Sequence, residues 1–352
     1  MALATFGPLA HSQNGASQLG FTALQTQANN LVEKGQLIEA LPLLKELVKR
    51  VEATEESEIQ LDFPVFLIGT AHIQNYVASG QKSELQEALK WYDKLQNEFP
   101  RSPKVKDMLL KRIDILRALE RNDAATTLMR DILAGKYNLR LDYVEQTKLL
   151  KDLVESGESR DLEFKASAVY SFNTKQNDKT LFYPIIKTIC AFANTEGGKL
   201  LVGYNEKSNE FNGIEVDGKK NLDDWERFIR SHLDQKTDKT TGTMVNFFFH
   251  KINNVTCALI EVARSPHRIS CKDISSNEQT HFYVRSGPST KSLNFDEGIK
   301  YRNMRFGGDG DRPRRYRRRA RDESNVEDRE KRSYTRRRRR RDYKANRDKN
   351  ED

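Results

Sequence analysis

From Leu24 to Leu153 the apolar positions recur every three or four residues, the spacing that gathers side chains on one face of an α-helix. Leu31, Gly35, Leu37, Ala40, Leu41, Leu43, Leu44 and Leu47 predict a helix, a glycine turn and a second helix. The unit recurs with Tyr76, Ala78 and Gly80 ahead of Ala88, Leu89, Trp91, Tyr92, Leu95 and the helix-stopping Phe99-Pro100. It recurs again with Ile113, Ile115, Leu116 and Leu119 ahead of Asn122, Ala124, Ala125, Leu128 and Ile132. Leu141 to Ser156 predicts a connecting helix that feeds directly into the Glu158 turn, with no flexible linker between the two halves. There the period changes. Leu162, Phe164 and Ala166 alternate with Glu163 and Lys165, the pattern of a strand with one buried face, so both charged residues point the same way, off the core. Gly157 and Ser159 predict a turn that folds Glu158 back beside Glu163. Leu181, Ile185, Ile186, Ile189 and Phe192 predict an amphipathic helix that ends at Gly197-Gly198, and Leu200-Leu201-Val202 predicts a short buried strand. A further helix is predicted over Asn221 to Leu233. Strands are predicted at Met244 to Phe249, Val255 to Val262 and His281 to Arg285, the first two joined through Asn253-Asn254. Strands and helices without strict alternation indicate an α+β domain behind an all-α region, hence a multidomain chain.

Charge changes this picture at the C-terminus. The 352 residues carry a net charge of +9, and the segment from Gly307 onward holds 19 Lys and Arg against 11 Asp and Glu, so it supplies eight of those nine charges. The body is nearly neutral and must bind any polyanion by local placement of charge. The tail has almost no aliphatic residue and is expected to be disordered. Its basic blocks, with Arg314, Arg315, Arg317, Arg318 and Arg319 around Tyr316 and Arg336, Arg337 and Arg338 after Tyr334, suit phosphates and single-stranded bases. Cys190, Cys257 and Cys271 are too few and too scattered for a zinc knuckle or disulfide framework and are expected to be buried and reduced. No apolar run reaches the length of a membrane span. Residues 1–22 are expected to be a disordered leader of a cytoplasmic protein; the alternative is a truncated signal peptide with a cleavage site near Ala10-x-Ser12, which would mean export. Gly197-Gly198-Lys199 lacks the flanking residues of a phosphate-binding loop, so ATP binding is not expected.

Two resemblances extend the reading. The helical units over residues 23–156 resemble a degenerate tetratricopeptide array, which implies a concave surface for a protein or peptide partner. Residues 157–304 resemble the Schlafen/AlbA-type domain. The likeness is carried by Glu158, Glu163-Phe164-Lys165, the run Phe192-Ala193-Asn194-Thr195-Glu196-Gly197-Gly198, the strand ending at Gly203, and the closing Tyr283-Val284-Arg285-Ser286-Gly287. Residues 305–352 complete the chain as the basic tail.

The second resemblance implies nucleic-acid chemistry. In Schlafen-type ribonucleases a carboxylate cluster holds a divalent metal. Glu158 and Glu163 match the first two acids and Lys165 the nearby cation, which makes these three the candidate catalytic residues. The third acid is replaced: Asn205 stands in its place, followed by Glu206. A metal set of Glu158, Glu163, Asn205 and Glu206, holding Mg²⁺ or Mn²⁺, is the form a catalytic site would take. Lys165 and Arg285 join the tail arginines as candidate nucleic-acid contacts. The favoured reading is an RNA- or DNA-binding protein, RNA ahead of DNA, with helical repeats recruiting a partner and the tail adding affinity. The alternative is a metal-dependent endoribonuclease. A single copy of a lobe that the animal enzymes use in pairs also raises the expectation of a homodimer.

Overall fold

The computed structural model describes residues 16–54, 60–275 and 277–306. The expected leader up to residue 15 and the basic tail, with Arg314, Arg315, Arg317, Arg318, Arg319, Arg336, Arg337 and Arg338, lie outside the described residues. Among the described residues seven helices span the N-terminal half: α1 (Phe21–Glu33), α2 (Leu37–Glu52), α3 (Asp62–Ser79), α4 (Lys82–Glu98), α5 (Lys104–Ala118), α6 (Asn122–Leu133) and α7 (Tyr143–Glu155). Each packs against its neighbour in the chain. Gly35 and Gly80 turn the chain between helices with φ of 73° and 71°, a backbone that glycine adopts without a Cβ penalty. α7 opens on a capping box in which Asp142 accepts from the Glu145 amide and Glu145 accepts from the Asp142 amide. Among the described residues no helix is long and apolar enough to cross a membrane.

The α+β part is built on a four-stranded sheet in the order β1-β4-β8-β7, from β1 (Leu162–Lys165), β4 (Gly198–Val202), β8 (Val255–Val262) and β7 (Val245–Ile252). β1 and β4 are parallel and are joined by α8 (Phe182–Asn194); the other pairings are antiparallel. Asn253 and Asn254 close the β7–β8 hairpin with φ of 50° and 64°, which asparagine tolerates better than most residues. Among the described residues three small antiparallel sheets accompany it: β2 (Tyr170–Ser171) with β3 (Gln176–Asn177), β5 (Tyr204–Asn205) with β6 (Glu210–Phe211), and β10 (Thr280–Ser286) between β9 (Cys271–Lys272) and β11 (Ser289–Leu293). α9 (Leu222–Lys236) lies beside α8, and α10 (Phe295–Phe306) carries the described chain two residues past the expected domain end at 304.

Both faces of the sheet are covered, and the alternation of side chains sorts them. Leu200, Val202, Ala258, Ile260 and Val262 pack against Ile186, Ile189 and Phe192 of α8 and Trp225 and Ile229 of α9. Leu162, Phe164, Leu201, Ile252, Cys257 and Leu259 face the other way and join one continuous core with the N-terminal helices. Each such fully buried aliphatic or aromatic side chain contributes about 1.5–3 kcal/mol. Polar ties reinforce the seam. His250 Nε2 bonds the Leu133 carbonyl at 2.8 Å, the Asn253 amide donates to Tyr143 Oη at 2.9 Å, and Arg130 Nη1 lies 2.6 Å from Asp161 Oδ2. The helical region is therefore a layer of the same body.

Candidate functional site

The acidic turn sits at the free edge of the sheet. β1 is an edge strand whose Leu162 and Phe164 are committed to the core shared with the helices, so Glu163 and Lys165 project on the α8 side. The turn before β1 brings Glu158 back. Its Oε1 accepts the Phe164 amide at 2.9 Å, covering a backbone donor that the edge strand would otherwise expose. Burial pushes the Glu158 carboxyl above its usual range; the Phe164 amide opposes the rise and the Glu163 charge adds to it.

Strand alternation predicts Glu163 pointing off the core into solvent, yet it is only 9% exposed. The reason is Arg285, which β10 delivers over the strand edge. Its Nη1 lies 2.6 Å from Glu163 Oε2, its Nη2 donates to the Ser159 carbonyl at 2.8 Å, and its Nε donates to the Arg160 carbonyl at 3.2 Å. The guanidinium also covers the Phe192 ring, 4.9 Å from its centroid. Glu163 Oε1 is taken by Lys165 Nζ, which donates as well to the Phe164 carbonyl. Arg285, expected as a nucleic-acid contact, has its side chain wholly out of solvent and its three nitrogens engaged within the fold. Lys165 remains partly open at 26%.

Of the expected metal set, Glu158 lies near enough to Glu163 and Glu206 to feel both charges, while the Glu163 and Asn205 oxygens have other partners. Both Glu163 oxygens are neutralised by cations of the chain itself. Asn205 Oδ1 accepts the Lys207 amide at 3.2 Å, closing its own turn, and Glu206 is exposed. Among the described residues no group of three or more His, Cys, Asp or Glu side chains converges on a point that could hold a metal ion. The residues present do not fit a Mg²⁺ or Mn²⁺ centre.

The other motif residues are stitches. Asn194, fully buried, donates to the carbonyls of Ile269 at 2.8 Å and Tyr283 at 2.9 Å and accepts the Ile269 amide. Thr195 Oγ1 accepts the Arg285 amide at 3.0 Å, which sets the start of the clasp. Gly197, at φ 81°, has no room for a side chain: a Cβ there would stand 2.7 Å from the Val262 carbonyl oxygen. A Cβ on Gly198 would meet the Phe192 ring at 2.4 Å. Sequence patterning does not single out Asp217. It is buried, and its carboxylate accepts the amides of Ala168, Val169 and Tyr170 and the Trp225 indole Nε1, at 2.7–3.1 Å. Its signal in the sequence is weak, an Asp before Gly218 in a loop.

Residues 158–294 match the family described as Schlafen, AlbA_2. No curated protein matches the chain. Among solved structures, the DIP2311 protein from Corynebacterium diphtheriae is similar over 43% of this chain and 25% of that one, at 20% identity and a TM-score of 0.31. This chain thus spans about a quarter of that protein's length. With the Glu163-Phe164-Lys165 strand, the Asn194-Thr195 stitch and the Arg285 closure in one connected unit, residues 158–294 are a Schlafen, AlbA_2 domain.

Proposed function

We propose that the chain is a nucleic-acid-binding protein, acting on RNA, that holds its ligand without cutting it. The coarse part of this reading, a nucleic-acid-related function, comes from the Schlafen, AlbA_2 domain. The observation that carries the finer part is the Glu163 carboxylate, held by Arg285 and Lys165, at the place where the resemblance implied a metal-binding acid. A carboxylate bound to two cations offers a metal little net charge, and freeing it would leave a buried guanidinium unpaired. In this reading the helical layer recruits a protein partner, the protein works in the cytoplasm, and the Arg-rich tail supplies sequence-independent affinity that falls with salt.

Binding and cleavage of a fluorescently labelled structured RNA by the full chain tests it. Binding is expected to persist in excess EDTA, and the RNA is expected to stay intact with added Mn²⁺. Metal-dependent cutting that disappears in Glu163→Gln would overturn the reading in favour of an endoribonuclease. Deletion of residues 307–352 is expected to weaken binding and to flatten its salt dependence. A homodimer that presents two such domains to one RNA is the assembly this reading favours, and light scattering of the full chain reads it directly.

A further inference from the structure

We propose that the β2–β3 hairpin, residues 170–177, is a stacking platform for single-stranded RNA, with Tyr170 and Phe172 as the base-contacting rings and Lys175, Lys179, Lys219 and Lys220 as the phosphate contacts. This inference rests on the nucleic-acid-binding reading and gives it a surface.

The two rings stand out by their packing. Their centroids are 5.1 Å apart at 83°, so they meet edge to face. Both are half-exposed, and neither belongs to, or packs against, any of the three hydrophobic cores formed by the described residues. They meet each other on a hairpin of two-residue strands that has no core of its own. A two-stranded hairpin is marginal alone, so it needs an anchor. Asp217 provides one, since its buried carboxylate gathers the amides of Ala168, Val169 and Tyr170 at the hairpin's base and ties them to the Trp225 indole in the core. A fixed support under half-exposed aromatic rings lets a base stack without the cost of ordering the platform.

Charge complements the rings. Between β1 and α8 the only acid is Asp178, whose Oδ1 accepts from the Thr180 amide and hydroxyl at 2.8 and 2.7 Å. Lys175 at the hairpin tip and Lys179 are exposed, and Lys220 is exposed three residues after the Asp217 anchor. Lys219 beside it is half-exposed, with its ammonium 3.7 Å from the Phe228 ring centroid. Basic side chains interleaved with half-exposed aromatics, on a body of almost no net charge, match the needs of an unpaired strand: π-faces for bases and cations for the backbone.

The test is fluorescence anisotropy of the full chain with labelled oligouridylate and with an RNA duplex of equal length, at raised ionic strength so that long-range attraction is screened. Tyr170→Ala and Phe172→Ala are each expected to weaken oligouridylate binding about tenfold, the loss of one stacked base, while duplex binding is unchanged. Tyr170→Phe is expected to bind as the parent does. In a salt series Lys175→Ala is expected to reduce the slope by about 0.7, the share of one phosphate on a single strand. The Ala variants are expected to keep the parent circular dichroism and thermal midpoint. If they and Lys175→Ala bind oligouridylate as the parent does, the hairpin assignment is wrong while the binding reading stands. If the parent binds neither RNA, both fall.

Discussion

Arg285 and Glu163 stand 122 residues apart in the chain, and their ion pair is closed off from solvent on the arginine side. Removing the guanidinium by Arg285→Ala leaves the buried Glu163 carboxylate with Lys165 alone and two carbonyls without donors, an expected loss of about 3–5 kcal/mol in the denaturant-derived unfolding free energy. Arg285→Lys is expected to recover only a small part, because a point ammonium cannot reach Glu163, Ser159 and Arg160 from one position. Near-parental stability of the lysine variant would show that charge alone matters there. Glu158 makes a pH prediction. Its carboxyl titrates above the ordinary value of 4.5 in the folded chain, chiefly through burial, with the Glu163 charge adding to the rise. Below that value the group is protonated in both folded and unfolded states and has no effect on the balance; as pH rises through the window above it, the unfolded chain releases the proton first and folding loses stability. Glu158→Gln keeps an oxygen for the Phe164 amide and removes the titration. The thermal midpoint of the variant, relative to the parent, is therefore expected to climb as pH increases above 4.5. The acids of this turn are legible from spacing alone. Their partner is not, since no local pattern links Glu163 to a strand so far along the chain.

The helices of the first layer are held to closer tolerances than their periodicity reveals. Gly69 lies within α3 where the Tyr92 ring of α4 presses on it, and a Cβ there would stand 2.3 Å from a ring carbon. Glycine within a helix normally costs about 0.5–1 kcal/mol against alanine. Here the balance is expected to reverse: Tyr92 is fully buried and cannot swing aside, so Gly69→Ala should destabilise by about 1–3 kcal/mol in chemical denaturation. A stabilised variant would mean that α3 and α4 can separate at little cost. Long periodic stretches such as α2, α4, α8 and α9 are readable in the sequence because each repeats its apolar face over three turns or more. The β2–β3 and β5–β6 pairs escape sequence reading for the opposite reason. A strand of two residues has no period to display, and its position is set by Asp217 or Tyr204 rather than by its own pattern.

At the scale of the whole molecule, the α+β part and the helical layer are each legible, and the seam between them is not. Leu200-Leu201-Val202 shows why. An uninterrupted apolar run announces a strand buried on both faces, but only the fold reveals that Leu201 belongs to one core and its two neighbours to the other. Periodicity alone assigns the first half a stack of its own, whereas Phe164, Leu201, Ile252 and Leu259 complete it from the other side. With that much apolar surface shared, equilibrium unfolding is expected to give one transition, coincident by far-UV circular dichroism and by tryptophan fluorescence, which Trp91 reports from the helices and Trp225 from beyond the sheet. Two separated transitions would count against a common core. The same seam bears on how such a domain travels between proteins. A segment cut at Glu158 would carry away a sheet with one apolar face uncovered, so wherever the domain stands without these helices that face needs another cover.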